Sequence, residues 1–119
     1  MLVIDDDPGI LQFVEDAFSG EPIAIETALG GRDGIARLST GRVYDVILSD
    51  MRMPDIDGKS IFRYVRENRP ELERRLVFAT GDVANPEAIE FMQVCGRPIL
   101  EKPFSIRVLH ETVERVADR

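Results

Sequence analysis

Five short apolar runs, each followed by a stretch with helical spacing, take up the 119 residues. The runs are Leu2–Ile4, Ile23–Ala28, Tyr44–Ser49, Arg75–Thr80 and Pro98–Leu100. Apolar runs of this length between turn signals read as buried strands. Strand and helix alternating five times, with connections of a few residues, predict an α/β architecture: a doubly wound, five-stranded parallel sheet with helices on both faces. The crossovers are expected to be right-handed. Pro98 at the head of the fifth run assigns that strand to an edge. No internal repeat, linker or low-complexity tract interrupts the pattern, so residues 1–119 are expected to form a single domain.

The helical stretches carry their own start and stop signals. Asp7-Pro8 and Asn85-Pro86 each pair a capping side chain with a proline suited to the first turn. Ser19-Gly20, Gly41 and Gly96 close helices, Gly30-Gly31 makes a turn, and Pro70 lies just beyond the helix predicted over 59–68. The first helix presents Ile10, Phe13, Val14 and Ala17 on one arc. Leu11 and Phe18 lie at its edge, readable either as core or as an exposed patch for a partner's helices. Ile89 and Met92 are expected to point inward from the fourth helix. Ser105 caps the last helix, where His110 stands among Glu111 and Glu114 on a face expected to be solvated.

The formal net charge is −7, and no basic cluster offsets it. Such a surface repels nucleic acid and suits a cation or a basic partner. The lone cysteine, Cys95, excludes an internal disulfide and a Cys-based zinc site, and its apolar neighbours mark it as a core thiol. No apolar run reaches the length needed to span a bilayer, and no basic-plus-apolar leader is present, so a cytoplasmic location is expected without direct membrane contact. Opening almost inside its first strand, the chain reads as trimmed or as one piece of a longer protein.

Four of the five runs end in a polar residue: Asp5-Asp6 after the first, Asp50 after the third, Thr80 after the fourth and Lys102 after the fifth. A parallel sheet lays those ends side by side. Carboxylates gathered there repel by about 4 kcal/mol per pair at ~4 Å and an effective dielectric near ~20. They need a cation to coexist ionised. Hard oxygen ligands select Mg²⁺ or Ca²⁺, and few protein ligands with several waters favour Mg²⁺. Lys102 adds a fixed positive charge and Thr80 a hydroxyl donor. A carboxylate in that setting can act as a nucleophile toward phosphorus, with Asp50 as the candidate; the cation and Lys102 would offset charge on the transferred group.

Here the residues become specific. Val3-Ile4-Asp5-Asp6-Asp7, the stretch from Asp45 through Asp50-Met51-Arg52-Met53-Pro54 to Gly58, Phe78-Ala79-Thr80-Gly81 and Glu101-Lys102-Pro103-Phe104 resemble the receiver domain of two-component response regulators. The match runs through essentially the whole chain in order. The resemblance implies the (βα)5 flavodoxin-like receiver fold, Asp50 as phosphoacceptor, and Mg²⁺ held by Asp6 directly, by Asp5 largely through water, by Asp50 and by the backbone carbonyl of Arg52. It assigns Thr80 the hydroxyl that turns toward the phosphoryl group, Lys102 the lysine that contacts it, and a cis bond to Lys102-Pro103. It implies a histidine kinase or histidine phosphotransfer protein as donor, with loss of the phosphoryl group to water. The segment from Arg74 through Phe104 resembles receivers attached to hybrid sensor histidine kinases, implying effector or kinase domains on a parent chain.

Two departures from the family pattern matter. Ile99 stands where the family usually carries a switch aromatic, which puts the usual Thr-aromatic coupling aside. Arg52 and Asp82 follow Asp50 and Thr80 by two positions each, and as a pair over the phosphate they would slow hydrolysis. Three rivals exist. A haloacid dehalogenase-type phosphohydrolase would use the Asp5-x-Asp7 spacing, but Gly9 stands where that motif wants Thr or Val. A flavodoxin-like electron carrier would need a phosphate-holding first loop, and three aspartates repel phosphate. A pseudo-receiver that only docks partners is favoured by Ile99 alone. Outside the constellation, Asp7 reads as a cap, and Asp55 and Asp57 as loop and turn residues.

Overall fold

The computed structural model describes residues 1–117. Five parallel strands, β1 (Leu2–Asp5), β2 (Glu26–Leu29), β3 (Ile47–Asp50), β4 (Leu76–Thr80) and β5 (Ile99–Glu101), lie in the order β2-β1-β3-β4-β5. Between them run α1 (Pro8–Ala17), α2 (Gly31–Leu38), α3 (Gly58–Asn68) and α4 (Pro86–Cys95), and α5 (Ile106–Ala117) follows β5. The chain reverses its direction of travel across the sheet between β1 and β3, which opens a crevice at their carboxyl ends. The β-α alternation, the parallel pairing and the edge position of β5 agree with the sequence reading.

Side chains alternate across the sheet, as a pleated strand requires. Leu2, Ile4, Ile47, Leu76 and Phe78 face a core closed by Leu38, Ile61, Phe62, Val65 and Cys95. Val3, Leu48, Val77 and Ala79 face the other core, closed by Leu11, Val14, Leu109 and Val113. So α1 and α5 cover one face and α2, α3 and α4 the other. Cys95 is a buried free thiol, as expected.

Several local expectations need correction. β2 begins at Glu26, where its ladder with β1 begins (Glu26 N–H to Met1 C=O, 2.8 Å); Ile23 and Ile25 are partly buried side chains in the preceding loop. Tyr44 precedes β3, buried, with its hydroxyl on Glu26. Arg75 ends a 3-10 helix over Pro70–Arg75, unforeseen in the sequence, and its guanidinium reaches the Val116 and Ala117 carbonyls at the end of α5 (3.2 Å each). Leu11 and Phe18 are core, only 8% and 7% exposed, so they are not a docking patch. His110 is not on a solvated face. Its ring stacks on Phe18 at 4.4 Å, and its Nε2 lies 2.6 Å from the Ala17 carbonyl at the end of α1. Ile89 turns outward on α4, whose one fully buried side chain is Cys95.

Candidate functional site

The first strand delivers Asp5 to the carboxyl edge almost fully buried, 2% exposed, while Asp6 turns to solvent. The main chain then turns under the Asp5 carboxylate, whose Oδ1 accepts the Asp7 N–H at 2.9 Å. Asp7 caps α1 through Gly9 N–H (2.8 Å), as its sequence position implied. One strand over, Asp50 ends β3 at 7% exposure. Its Oδ1 accepts the Met51 N–H at 3.0 Å. Each of Asp5, Asp6 and Asp50 offers an oxygen, and these oxygens all lie within 4.8 Å of one another.

Lys102, just after β5, spans the pair. Its Nζ sits 2.9 Å from Asp5 Oδ2 and 3.1 Å from Asp50 Oδ1. The ammonium is anchored through its own backbone, since Lys102 N–H donates to the Thr80 carbonyl at 2.8 Å. The Lys102-Pro103 bond is cis, as expected. Burial acts on the Asp50 carboxyl first and the Asp5 charge second; together they push its pKa above the ordinary carboxylate range, although Lys102 and the Met51 N–H pull the other way. Burial works against the Lys102 charge, but its hydrogen bond to Asp5 and the charges of Asp5 and Asp50 outweigh it and hold the pKa above the usual lysine value. Two buried carboxylates therefore share one ammonium, with the Asp6 carboxylate beside them. All the donors are hard oxygens, the set that suits a divalent cation of the Mg²⁺ and Ca²⁺ kind.

Thr80 ends β4 at 3% exposure, with its Oγ1 accepting the Asp82 N–H at 3.1 Å. Beside it opens a cleft of about 500 Å³, lined by Met51, Arg52, Thr80 and Asp82 among others. Arg52 and Asp82 meet across that cleft, Nη2 to Oδ2 at 3.7 Å, Arg52 largely in solvent and Asp82 about half exposed. Fold and termini thus bring the five strand-end positions to one edge, with Arg52 on the loop at its rim.

Homology decides what kind of site this is. A model of the response regulator receiver domain matches residues 1–114. The chain belongs to the response regulator receiver family. Its relatives include the C4-dicarboxylate transport transcriptional regulatory protein DctD of Pseudomonas aeruginosa, 32% identical over 121 residues covering 99% of this chain and 25% of that protein. The receiver domain of the Francisella response regulator 1452 shares 29% identity and superposes with a TM-score of 0.84, covering 99% of this chain and 95% of that one. The signal receiver domain of a histidine kinase from Syntrophus aciditrophicus shares 25% identity at a TM-score of 0.85, covering 98% and 88%. The chain spans about a quarter of the length of the curated relatives it matches. A phosphoacceptor role in two-component signalling is the function of this family.

Two residues near the site do more than their sequence positions suggested. Asp57 caps α3, accepting the Ser60 N–H at 2.9 Å. Asp55 reaches across to the start of α2, accepting the Gly31 and Arg32 N–H groups at 3.1 and 2.9 Å. The α2 start at Gly30-Gly31 carries no side-chain cap of its own. That missing cap, beside a loop aspartate without an assigned partner, was the one signal in the sequence.

Proposed function

We propose that this chain takes a phosphoryl group onto Asp50 from a phosphohistidine, with Mg²⁺ held by Asp5, Asp6, Asp50 and the backbone carbonyl of Arg52. The observation that carries the reading is the sharing of one ammonium by two buried carboxylates, 2.9 and 3.1 Å away. A buried acidic pair with a single cation is electrostatically incomplete, and such incompleteness at a strand-end crevice is characteristic of a functional site.

The roles follow from the bonds. Lys102 and the Met51 N–H both address Oδ1 of Asp50. Oδ2 is therefore the oxygen to form the bond to phosphorus as the P–N bond to the donor histidine breaks, the electron pair leaving with the imidazole nitrogen. Lys102 holds charge on the transferred group, and Thr80 supplies a hydroxyl once it leaves the Asp82 N–H. The bound Mg²⁺ supplies neutralisation of charge on the phosphoryl oxygens. Hydrolysis of the acyl phosphate by water returns the carboxylate, so the domain catalyses its own phosphorylation and dephosphorylation and nothing further.

The donor is a histidine kinase or a histidine phosphotransfer protein, and the domain acts on the cytoplasmic side. No helix among the described residues is long and apolar enough to cross a membrane. The share of DctD that the chain matches supports an effector or kinase domain elsewhere on a parent chain, and the similarity to a histidine kinase receiver supports the hybrid-kinase form. Intact mass after incubation with Mg²⁺ and acetyl phosphate tests the reading. One added phosphoryl group in the native chain and none in Asp50→Asn is expected; equal incorporation in both would refute it.

A further inference from the structure

The loop from Met51 to Asp57 carries the Arg52 carbonyl, and its shape is fixed from three sides. Met51 donates its N–H to the Ala79 carbonyl and accepts the Gly58 N–H, both at 2.9 Å. The Met51 and Met53 side chains are buried. The third hold is Asp55, whose carboxylate takes Gly31 N–H, Arg32 N–H and its neighbour Ile56 N–H at 3.1, 2.9 and 2.7 Å. It is the clamp that ties the middle of this loop to a different βα unit, 23 and 24 residues away in sequence.

The receiving surface is shaped for it. Gly30 has φ +93°, and a Cβ there would lie 3.1 Å from Asp55 Oδ2. A Cβ on Gly31 would lie 2.4 Å from the Ile56 carbonyl oxygen. Only a turn without side chains lets the loop descend far enough for both oxygens of Asp55 to reach amides. The contact holds the carboxyl below its ordinary pKa, the Arg32 N–H being the main cause. We infer that Asp55 is a positioning residue for phosphoryl transfer: by clamping the loop onto the start of α2 it sets the Arg52 carbonyl before a cation arrives. A backbone ligand placed in advance spares the binding step the ordering of a loop. This rests on the proposed function, because it takes the Arg52 carbonyl as a ligand.

The test uses the 119-residue chain and two readouts. Asp55→Ala is expected to weaken Mg²⁺ binding, measured by titration of amide NMR shifts, by about fivefold, the factor typical of a lost side-chain cap. Amides of residues 51–58 should exchange with solvent faster in the metal-free variant. Asp55→Asn, which keeps one acceptor oxygen, should fall between native and Asp55→Ala, and it decides alone if the alanine variant does not fold. Val113→Ala, which loosens the far core, should destabilise the domain and leave Mg²⁺ affinity unchanged. Native affinity and native loop exchange in the Asp55 variants would overturn the inference while leaving the functional reading intact. A native chain that binds no Mg²⁺ would overturn both.

Discussion

The two ends of the sheet handle charge in opposite ways. At the amino-terminal end, Glu26 receives the Tyr44 hydroxyl and the guanidinium of Arg42, with Arg37 3.5 Å away. Nearby, Arg69 donates to the Leu38 carbonyl at 2.7 Å and Arg97 to the Leu76 carbonyl at 2.9 Å. Charges there are outnumbered by partners, and the edge is finished. At the carboxyl end, three acids cluster and two of them share a single lysine. Both ends bring acidic and basic side chains together. The difference lies in stoichiometry, and it separates a cluster that stabilises the fold from one that spends stability to be ready for a ligand.

The sharpest way to break this contrast is to remove the one cation at the deficient end. Lys102→Met strands Asp5 and Asp50 in a buried site. Because Lys102 is partly exposed and Asp50 can take up a proton, the expected loss is about 2 kcal/mol in metal-free buffer at neutral pH, below the usual cost of breaking a buried pair. Urea denaturation measures it, and saturating Mg²⁺ should return part of the loss. A loss as large with Mg²⁺ as without would mean that no cation occupies the acidic cluster.

Carboxylate-to-amide substitutions should then change stability with opposite signs at the two ends. Asp50→Asn relieves repulsion from Asp5 and should raise metal-free stability by about 1 kcal/mol, as relief of a functional site commonly does. Glu26→Gln weakens its bonds to Tyr44, Arg42 and Arg37 and should lower stability by about 1 kcal/mol. Equal signs would erase the distinction between the two clusters.

The finished end also has a pH signature. Burial first, and then the hydrogen bond to Glu26, push the Tyr44 phenol up to about 12. A folded-state pKa above the ordinary value of ~10 means that the folded chain holds this proton more tightly. Its contribution is complete below pH ~10 and is lost as pH climbs toward ~12. Native minus Tyr44→Phe stability, followed by urea midpoint, should therefore shrink across that window. A difference independent of pH would remove Tyr44 from the cluster's energetics.

What the sequence disclosed and withheld follows the range of the interactions. Asp5, Asp50, Thr80 and Lys102 were legible because each sits at or just past the end of an apolar run, and strand ends converge by topology alone. The (βα)5 order was legible from period and turn residues. Contacts made by single side chains across distant units were not. Arg75 reads as strand because a leucine follows it, yet its destination is the end of α5. Leu11 and Phe18 were placed at an edge because a helical wheel does not say which arc faces the sheet. His110 lies among acids in sequence but against Phe18 in space. Ile89 looked inward on α4, a helix whose partial burial falls instead on Ala88, Met92 and Phe91, the last with its ring meeting Phe62 and Phe78 edge-on at 5.5 and 5.3 Å, and whose full burial falls on Cys95.

The smallest effect concerns the pair above the site. Arg52 and Asp82 come from the two loops flanking the cleft and meet at 3.7 Å; in the proposed reaction the pair would stand over the approach of the water that attacks the acyl phosphate. Arg52 is largely exposed and Asp82 about half, so the pair itself contributes little to stability. Its influence is on access, and partial access at that, since an exposed pair opens readily. Arg52→Ala should shorten the lifetime of the phosphorylated chain by about threefold, a change in barrier below ~1 kcal/mol. Asp82→Ala should do the same, and the double variant should add nothing further if the two act only as a pair. Loss of the phosphoryl group, timed by intact mass after removal of the donor, reads all three. Unchanged lifetimes would leave the deficient end without a lid, and full additivity would mean that Arg52 and Asp82 act on the phosphoryl group separately.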